Sequence, residues 1–236
     1  MKAGIIAAGR GDRLSNGSAV LKPLVRVGGQ TLIERVLTSM ADAGASDVVV
    51  IINEGSTAVR DHVSAKDWPF ALRWLVETTP TSMHSFLRVV ETLAEDGDGG
   101  PFLVSTVDTV APPGAYARFI AEARRHADAA LTLALTTPGA DEKPLLVRAD
   151  GSTVVAMGAA AAPAQYVTAG YYAVRPSILT EKDAAYRDGL GALREFFQRL
   201  LACGYRIAGV PVPESVDVDR PLDVAAAEAL LDRVAL

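Results

Sequence analysis

The chain has 236 residues, half of them hydrophobic and 22% charged, with a net charge of −5. That is the balance of a globular protein large enough to bury its own core, and it offers no lysine–arginine block for nucleic acid or an anionic membrane. No apolar run reaches the ~20 residues a bilayer span needs.

The N-terminus opens on a strand pattern, Met1 to Ala8, without the ordered regions of a leader. The lone Cys203 cannot form an internal disulfide and reads as a small buried residue on a helix. A cytoplasmic protein without a nucleic-acid or membrane partner is expected. The sequence admits a homodimer and does not require one.

Short apolar runs at Ala3–Ala8, Asp47–Ile52, Leu72–Val76, Phe102–Val107 and Ala130–Thr136 read as buried parallel strands. Between them, Leu32–Ala43, Thr57–Ser64, Ser82–Ala94 and Gly114–Arg125 carry helical spacing, and Gly44 stands where a C-terminal helix cap belongs. Such alternation predicts right-handed crossovers and a doubly wound, mainly parallel α/β sheet. After Pro138 the rhythm changes. Lys143–Met157 reads as a hairpin turning at Asp150-Gly151, followed by a strand at Tyr166–Val174. A helix at Gly191–Ala202, a strand at Tyr205–Pro211 and a last helix at Leu222–Val234 complete the chain. Ala159–Ala164 reads as a low-complexity linker or lid. The whole is expected to be one domain, 1–236, with a small β addition.

The first strand–loop–helix reads Ala7-Ala8-Gly9-Arg10-Gly11-Asp12-Arg13-Leu14, and then Leu21-Lys22-Pro23-Leu24. Glycines after a first strand let backbone N–H groups approach phosphate oxygens, and Arg13 and Lys22 add fixed positive charge. Two common phosphate loops do not fit. The dinucleotide fingerprint wants a third glycine where Leu14 stands, and neither glycine is followed by the lysine of a Walker loop.

That string, continued by Val27-Gly28-Gly29-Gln30 and by Leu32-Ile33, resembles the opening of the sugar-1-phosphate nucleotidyltransferases. The resemblance implies a triphosphate held at Ala7, Ala8, Gly9, Arg10 and Gly11. It also implies that Arg13 faces the β- and γ-phosphates, and that Lys22 faces the α-phosphate and the incoming nucleophile.

Asp108 follows the Phe102–Val107 run. In open α/β sheets ligands bind beyond the carboxyl ends of strands, where a carboxylate suits Mg²⁺, although such an aspartate also serves as a turn residue or helix cap. The resemblance places a metal-binding aspartate here and a second in the closing segment Asp217-Val218-Asp219-Arg220-Pro221-Leu222-Asp223. Asp217 and Asp219 would share one face of a strand, so either is a candidate, and Asp217 is preferred. Asp219 or Asp223 would alternatively cap the last helix, with Pro221 in its first turn. Arg220 and Leu222 replace the family's usual threonine and glutamate, and Ser215 its tryptophan.

The segment from Glu77 to Phe86 corresponds to the family's base-reading loop, which implies Glu77 or Thr78 and Ser82 at the base. His84 is a candidate for ribose or phosphate. Tyr166–Tyr172 resembles the acceptor segment, which implies Thr168, Gly170 and Tyr171 at the sugar, with core as the fate of at least one tyrosine. The expected reaction is Mg²⁺-dependent transfer of a nucleoside monophosphate from an NTP to a sugar 1-phosphate. Cytidylyl transfer to phosphocholine or a polyol phosphate is the nearest alternative. A metal-dependent glycosyltransferase would want Asp-x-Asp where Thr106-Val107-Asp108 stands. A non-catalytic nucleotide-binding module is the remaining alternative.

Overall fold

The computed structural model describes residues 1–9, 14, 21–138 and 144–234. Strand β1 (Lys2–Ala7) is followed by a 3₁₀ turn at Lys22–Leu24, a short ribbon of β2 (Arg26–Val27) and β3 (Gln30–Thr31), and helix α1 (Leu32–Asp42). Next come β4 (Asp47–Ile52), α2 (Thr57–Ser64), β5 (Ala71–Val76), α3 (Ser82–Ala94), β6 (Phe102–Thr106), β7 (Thr109–Val110), α4 (Ala115–Ala123) and β8 (Leu131–Thr136). The second half contains β9 (Leu146–Asp150), β10 (Thr153–Met157), β11 (Tyr166–Val174), α5 (Lys182–Arg187), α6 (Leu193–Ala202), β12 (Ile207–Pro211), β13 (Val216–Asp217) and α7 (Pro221–Val234).

Nine strands form one sheet in the order β5-β4-β1-β6-β11-β8-β12-β10-β9. Strands β5, β4, β1 and β6 pair in parallel, as do β8 and β12, while β11 runs antiparallel between the two groups. The sheet is therefore doubly wound and mainly parallel, as the strand–helix alternation predicts. The β9–β10 hairpin is the β addition, paired to β12 and to the start of β11.

The strands read as continuous apolar runs because both faces are covered. On one side α3 and α6 pack Phe86, Phe196 and Phe197 against Val104 and Tyr172. On the other, α1, α2 and α4 pack Leu37, Val63 and Phe119 against Ile5 and Val50. Each such apolar side chain contributes about 1.5–3 kcal/mol when fully buried. A third, smaller cluster of Val27, Leu32, Val110, Val218 and Ala227 joins α7 to the β2–β3 ribbon and to β7.

Local signals set the helix limits. Thr31 caps α1 through a capping box with Glu34, and Gly44 follows α1 with φ +77°. Three expectations change. Asp150 pairs with Thr153, so the hairpin turns at Gly151-Ser152, one residue late. Within the stretch read as a linker or lid, Gly158–Ala161 is a 3₁₀ turn with Ala161 buried and its neighbours Ala159 and Ala160 exposed. Cys203 is exposed, because it lies past the last turn of α6 rather than on its apolar face. No helix among the described residues is long and apolar enough to cross a membrane.

Candidate active site

Because β1, β4, β5, β6, β8 and β12 point the same way, their following loops gather at one edge of the sheet. Ala7 ends β1 in the core, Ala8 is half-buried and Gly9 is exposed at that edge. The Ala8 carbonyl accepts a 3.1 Å hydrogen bond from Asn53 Nδ2, which ties the first loop to the one after β4. The expected phosphate contacts Arg10, Gly11 and Arg13 lie outside the described residues.

Lys22 opens the 3₁₀ turn, whose backbone is fixed by Leu24 N–H to the Leu21 carbonyl and Val25 N–H to the Lys22 carbonyl. Its side chain is only 10% exposed and its ammonium reaches two carboxylates. Nζ lies 2.5 Å from Asp108 Oδ2 and 2.6 Å from Asp219 Oδ1. These partners are 86 and 197 residues away along the chain, so the fold alone brings them together. Burial works to lower the Lys22 pKa, but the Asp108 charge and hydrogen bonds to both carboxylates outweigh it and hold it above its ordinary value. Asp108 answers in kind. Burial raises its pKa, and the charge and hydrogen bond of Lys22 bring it below the usual carboxylate range. Both groups are charged at neutral pH.

A two-stranded ribbon makes the pairing. Val110 and Thr109 of β7 face Val216 and Asp217 of β13, and Val218 N–H donates to the Asp108 carbonyl at 3.0 Å. The strand ends at Asp217, so the two-residue alternation that would set Asp217 and Asp219 on one face does not continue. Val218 turns into the third apolar cluster instead. Asp217 Oδ1 accepts from the Thr109 hydroxyl at 2.9 Å, whereas Asp219 accepts from the Lys22 ammonium that also reaches Asp108. The capping role falls to Asp223, whose Oδ2 accepts from the N–H groups of Asp219 and Arg220 at 3.0 and 2.8 Å at the start of α7. Asp219 is thereby spared for the site.

The acceptor segment divides. Gly170 has φ +80°, and a Cβ there would lie 1.9 Å from Thr109 Oγ1, so only glycine fits. It sits in a register shift of β11 between Thr168 and Tyr172, and its carbonyl faces the Thr106 hydroxyl at 3.4 Å. Thr106 Oγ1 is in turn 2.9 Å from Thr109 Oγ1. A chain Gly170–Thr106–Thr109–Asp217 therefore joins the acceptor strand to the aspartate ribbon. Thr106 and Thr109 were not singled out by sequence; their only signal is their position flanking Asp108. Thr168 is half-buried on the same strand. Tyr171 does not serve the acceptor: it is fully buried on the α4 face, stacked on Tyr116 with ring centroids 4.3 Å apart. Strand alternation sends it to the core side of β11.

The base-loop candidates are already engaged. Glu77, at the end of β5, holds a two-pronged pair with Arg88 at 2.9 and 2.7 Å, and these hydrogen bonds keep its carboxyl below the ordinary range. Thr78 is exposed and donates to Glu54. Ser82 Oγ accepts from Leu193 N–H at 3.2 Å and so ties α3 to α6. His84 stacks on Tyr186 at 4.6 Å and bonds the Thr81 hydroxyl at 2.8 Å; burial lowers its pKa. These contacts describe a buttress for the loop.

Among the described residues no group of three histidine, cysteine or acidic side chains converges on one point. Asp108 and Asp219 form an oxygen pair that already shares one cation, the Lys22 ammonium, and an all-oxygen pair is the donor set a hard divalent ion takes.

The chain is similar to known proteins along nearly its whole length. It is 28% identical over 214 residues to the CMP-5'-(3-aminopropyl)phosphonate synthase of Streptomyces rubellomurinus, covering 87% of this chain and 32% of that one. It is 28% identical over 245 residues to the bifunctional protein GlmU of Anaeromyxobacter dehalogenans, covering 96% of this chain and 48% of that one. The chain thus spans between a third and a half of the length of these curated relatives. Its fold matches that of the inositol-1-phosphate CTP transferase from T. maritima with a TM-score of 0.81 at 19% identity, covering 97% of this chain and 95% of the other. The profile of the MobA-like NTP transferase domain matches residues 3–174, which hold β1, the Lys22 turn, Asp108 and the acceptor strand. This chain belongs to the MobA-like NTP transferase domain family.

Proposed function

We propose that the chain joins a nucleoside monophosphate from an NTP to a small phosphorylated acceptor, a sugar 1-phosphate in the first reading, with release of pyrophosphate. The observation that carries this is the meeting of Lys22, Asp108 and Asp219 at the carboxyl edge of the sheet, beside the glycine turn that follows β1. An acceptor phosphate oxygen would attack the α-phosphorus in line as the bond to pyrophosphate breaks. No general base is required, because a phosphate dianion is already nucleophilic at neutral pH. Lys22 would lend its charge to the α-phosphate as negative charge gathers there, and Arg13 would hold the β- and γ-phosphates. Gly170 and Thr168 would border the acceptor. Asp108 and Asp219 are the residues to hold Mg²⁺, with Asp217 orienting their ribbon through Thr109. Mg²⁺ when bound neutralises phosphate charge.

A second reading, cytidylyl transfer to a polyol phosphate, is favoured by two likenesses. One fold neighbour is a CTP transferase for inositol 1-phosphate, and the Streptomyces relative is named for a CMP product. The test is a screen of the four NTPs against sugar, polyol and choline phosphates, read by pyrophosphate release. UTP or TTP turnover with sugar 1-phosphates supports the first reading, and CTP with polyol phosphates the second. No turnover with any pair refutes both.

A further inference from the structure

Two like-charged carboxylates from segments more than a hundred residues apart do not stay together unaided. In this protein the Lys22 ammonium bridges them, 2.5 and 2.6 Å away, with its side chain 10% exposed. The lysine backbone is pinned in its 3₁₀ turn beside buried Pro23, so only the flexible four-carbon stem can move.

We propose that Lys22 is the resident cation of the Asp108–Asp219 pair in the free protein. A divalent ion then competes with its ammonium for the same oxygens, and the ion enters with the nucleotide and not before it. This rests on the assignment of Asp108 and Asp219 as the metal carboxylates.

The physical reason is charge. The ammonium sits on carboxylate oxygens that a divalent ion would take, Asp108 Oδ2 and Asp219 Oδ1, and two cations held a few ångströms apart repel one another, so ion and ammonium compete for the pair. Water alone is a poor exchange for a lysine already held by two charged hydrogen bonds. A triphosphate offers it anionic oxygens in return. Nucleotide binding therefore releases the carboxylates, and by linkage anything that removes the ammonium raises the affinity for the ion. The same lysine would guard the empty site against adventitious metal and then move to the phosphate.

The experiment measures Mn²⁺ binding without nucleotide, from the electron paramagnetic resonance signal of the free ion. Parent protein should bind Mn²⁺ weakly. Lys22→Gln should bind it at least about tenfold more tightly, and Lys22→Arg, which keeps the charge, should resemble the parent. Adding Asp219→Asn to Lys22→Gln should abolish the gain, which locates the site. Parent protein that binds one free Mn²⁺ as tightly as Lys22→Gln would overturn the proposal. So would a Lys22→Gln variant, folded by circular dichroism, with no gain. If that variant does not fold, the parent and Lys22→Arg still decide: tight Mn²⁺ binding by either overturns it, and weak binding that tightens with a non-hydrolysable NTP analogue supports it. The gain in Lys22→Gln together with no pyrophosphate release from any NTP by the parent would fail the functional reading alone.

Discussion

Two acidic clusters in this molecule each contain a lysine, and they are built in opposite ways. Glu34, at the start of α1, is 5% exposed and closed from all sides. It accepts from its own Thr31 N–H at 2.8 Å, from Lys66 at 2.5 Å, and lies 3.0 Å from His62. Burial alone would raise its pKa, but the hydrogen bonds from Lys66 and Thr31 bring it to about 2. Asp108 and Asp219, by contrast, are 24% and 33% exposed, open toward the loop edge and bridged by a shared ammonium. The first cluster has one negative charge and every donor it needs. The second sets two negative charges about one shared ammonium and is partly open to solvent. A closed carboxylate is a device for stability, whereas an open like-charged pair is kept for something that binds it. The predictions follow from that contrast.

The largest effect is expected at the open pair. Asp108→Ala and Asp219→Ala should each lower kcat/KM by about 10³-fold with the fold intact by circular dichroism, since each removes an oxygen ligand from the reaction centre. Asp217→Asn should cost only about 10–100-fold, because Asp217 acts through Thr109. Pyrophosphate release at saturating Mg²⁺ measures all three. A loss at Asp217 larger than that at Asp219 would return the direct role to Asp217.

Next is the cation between them. Lys22→Ala should lower kcat by about 10²–10³-fold and raise the KM for NTP much less, because its charge matters most as the α-phosphate gains negative charge. Arg13→Ala should instead act chiefly on KM. Initial-rate kinetics on both variants separate the two. Parent-like behaviour in both would remove the phosphate clamp, and the acceptor reading with it.

The sequence made the sheet legible because its parallel strands are buried on both faces. Asp47–Ile52 stands out as six apolar-rich residues with turn chemistry on each side. Lys22 and Asp108 were legible because each sits just past a recognisable strand or loop. Which of Asp217 and Asp219 would meet Lys22 was not. It depends on β13 having only two residues, a length set by its pairing with β7 rather than by any local pattern. Tyr171 was misleading: it follows Gly170, whose φ of +80° lies within a register shift of β11, and its ring goes into the core against Tyr116.

The closed cluster should answer in stability. A carboxyl depressed to about 2 in the folded state from its ordinary 4.5 contributes stability that is present above pH 4.5 and lost as pH falls through 2. Glu34→Gln should therefore destabilise by about 1–3 kcal/mol at pH 7 while leaving kcat unchanged, with the difference from the parent shrinking below pH 4.5. Urea unfolding at several pH values checks this. A penalty that persisted undiminished at pH 2 would locate the loss in helix capping alone.

The smallest effect should come from a residue that sequence placed in the site and the structure places in the core. The Tyr171 hydroxyl is buried with no hydrogen-bond partner among the described residues, and burial pushes its pKa up. Its ring contributes by stacking on Tyr116 and meeting Phe119 edge-on, contacts that phenylalanine reproduces. Tyr171→Phe removes only an unsatisfied polar atom, so it should leave stability unchanged or raise it by about 1 kcal/mol. The KM for the acceptor should not move. Thr168→Val keeps the shape and removes a half-buried hydroxyl that bonds Tyr172 on the same strand, and it should raise that KM if Thr168 borders the acceptor. A rise in acceptor KM for Tyr171→Phe would mean that β11 shifts on binding and uncovers Tyr171. The stack on Tyr116 makes such a shift costly.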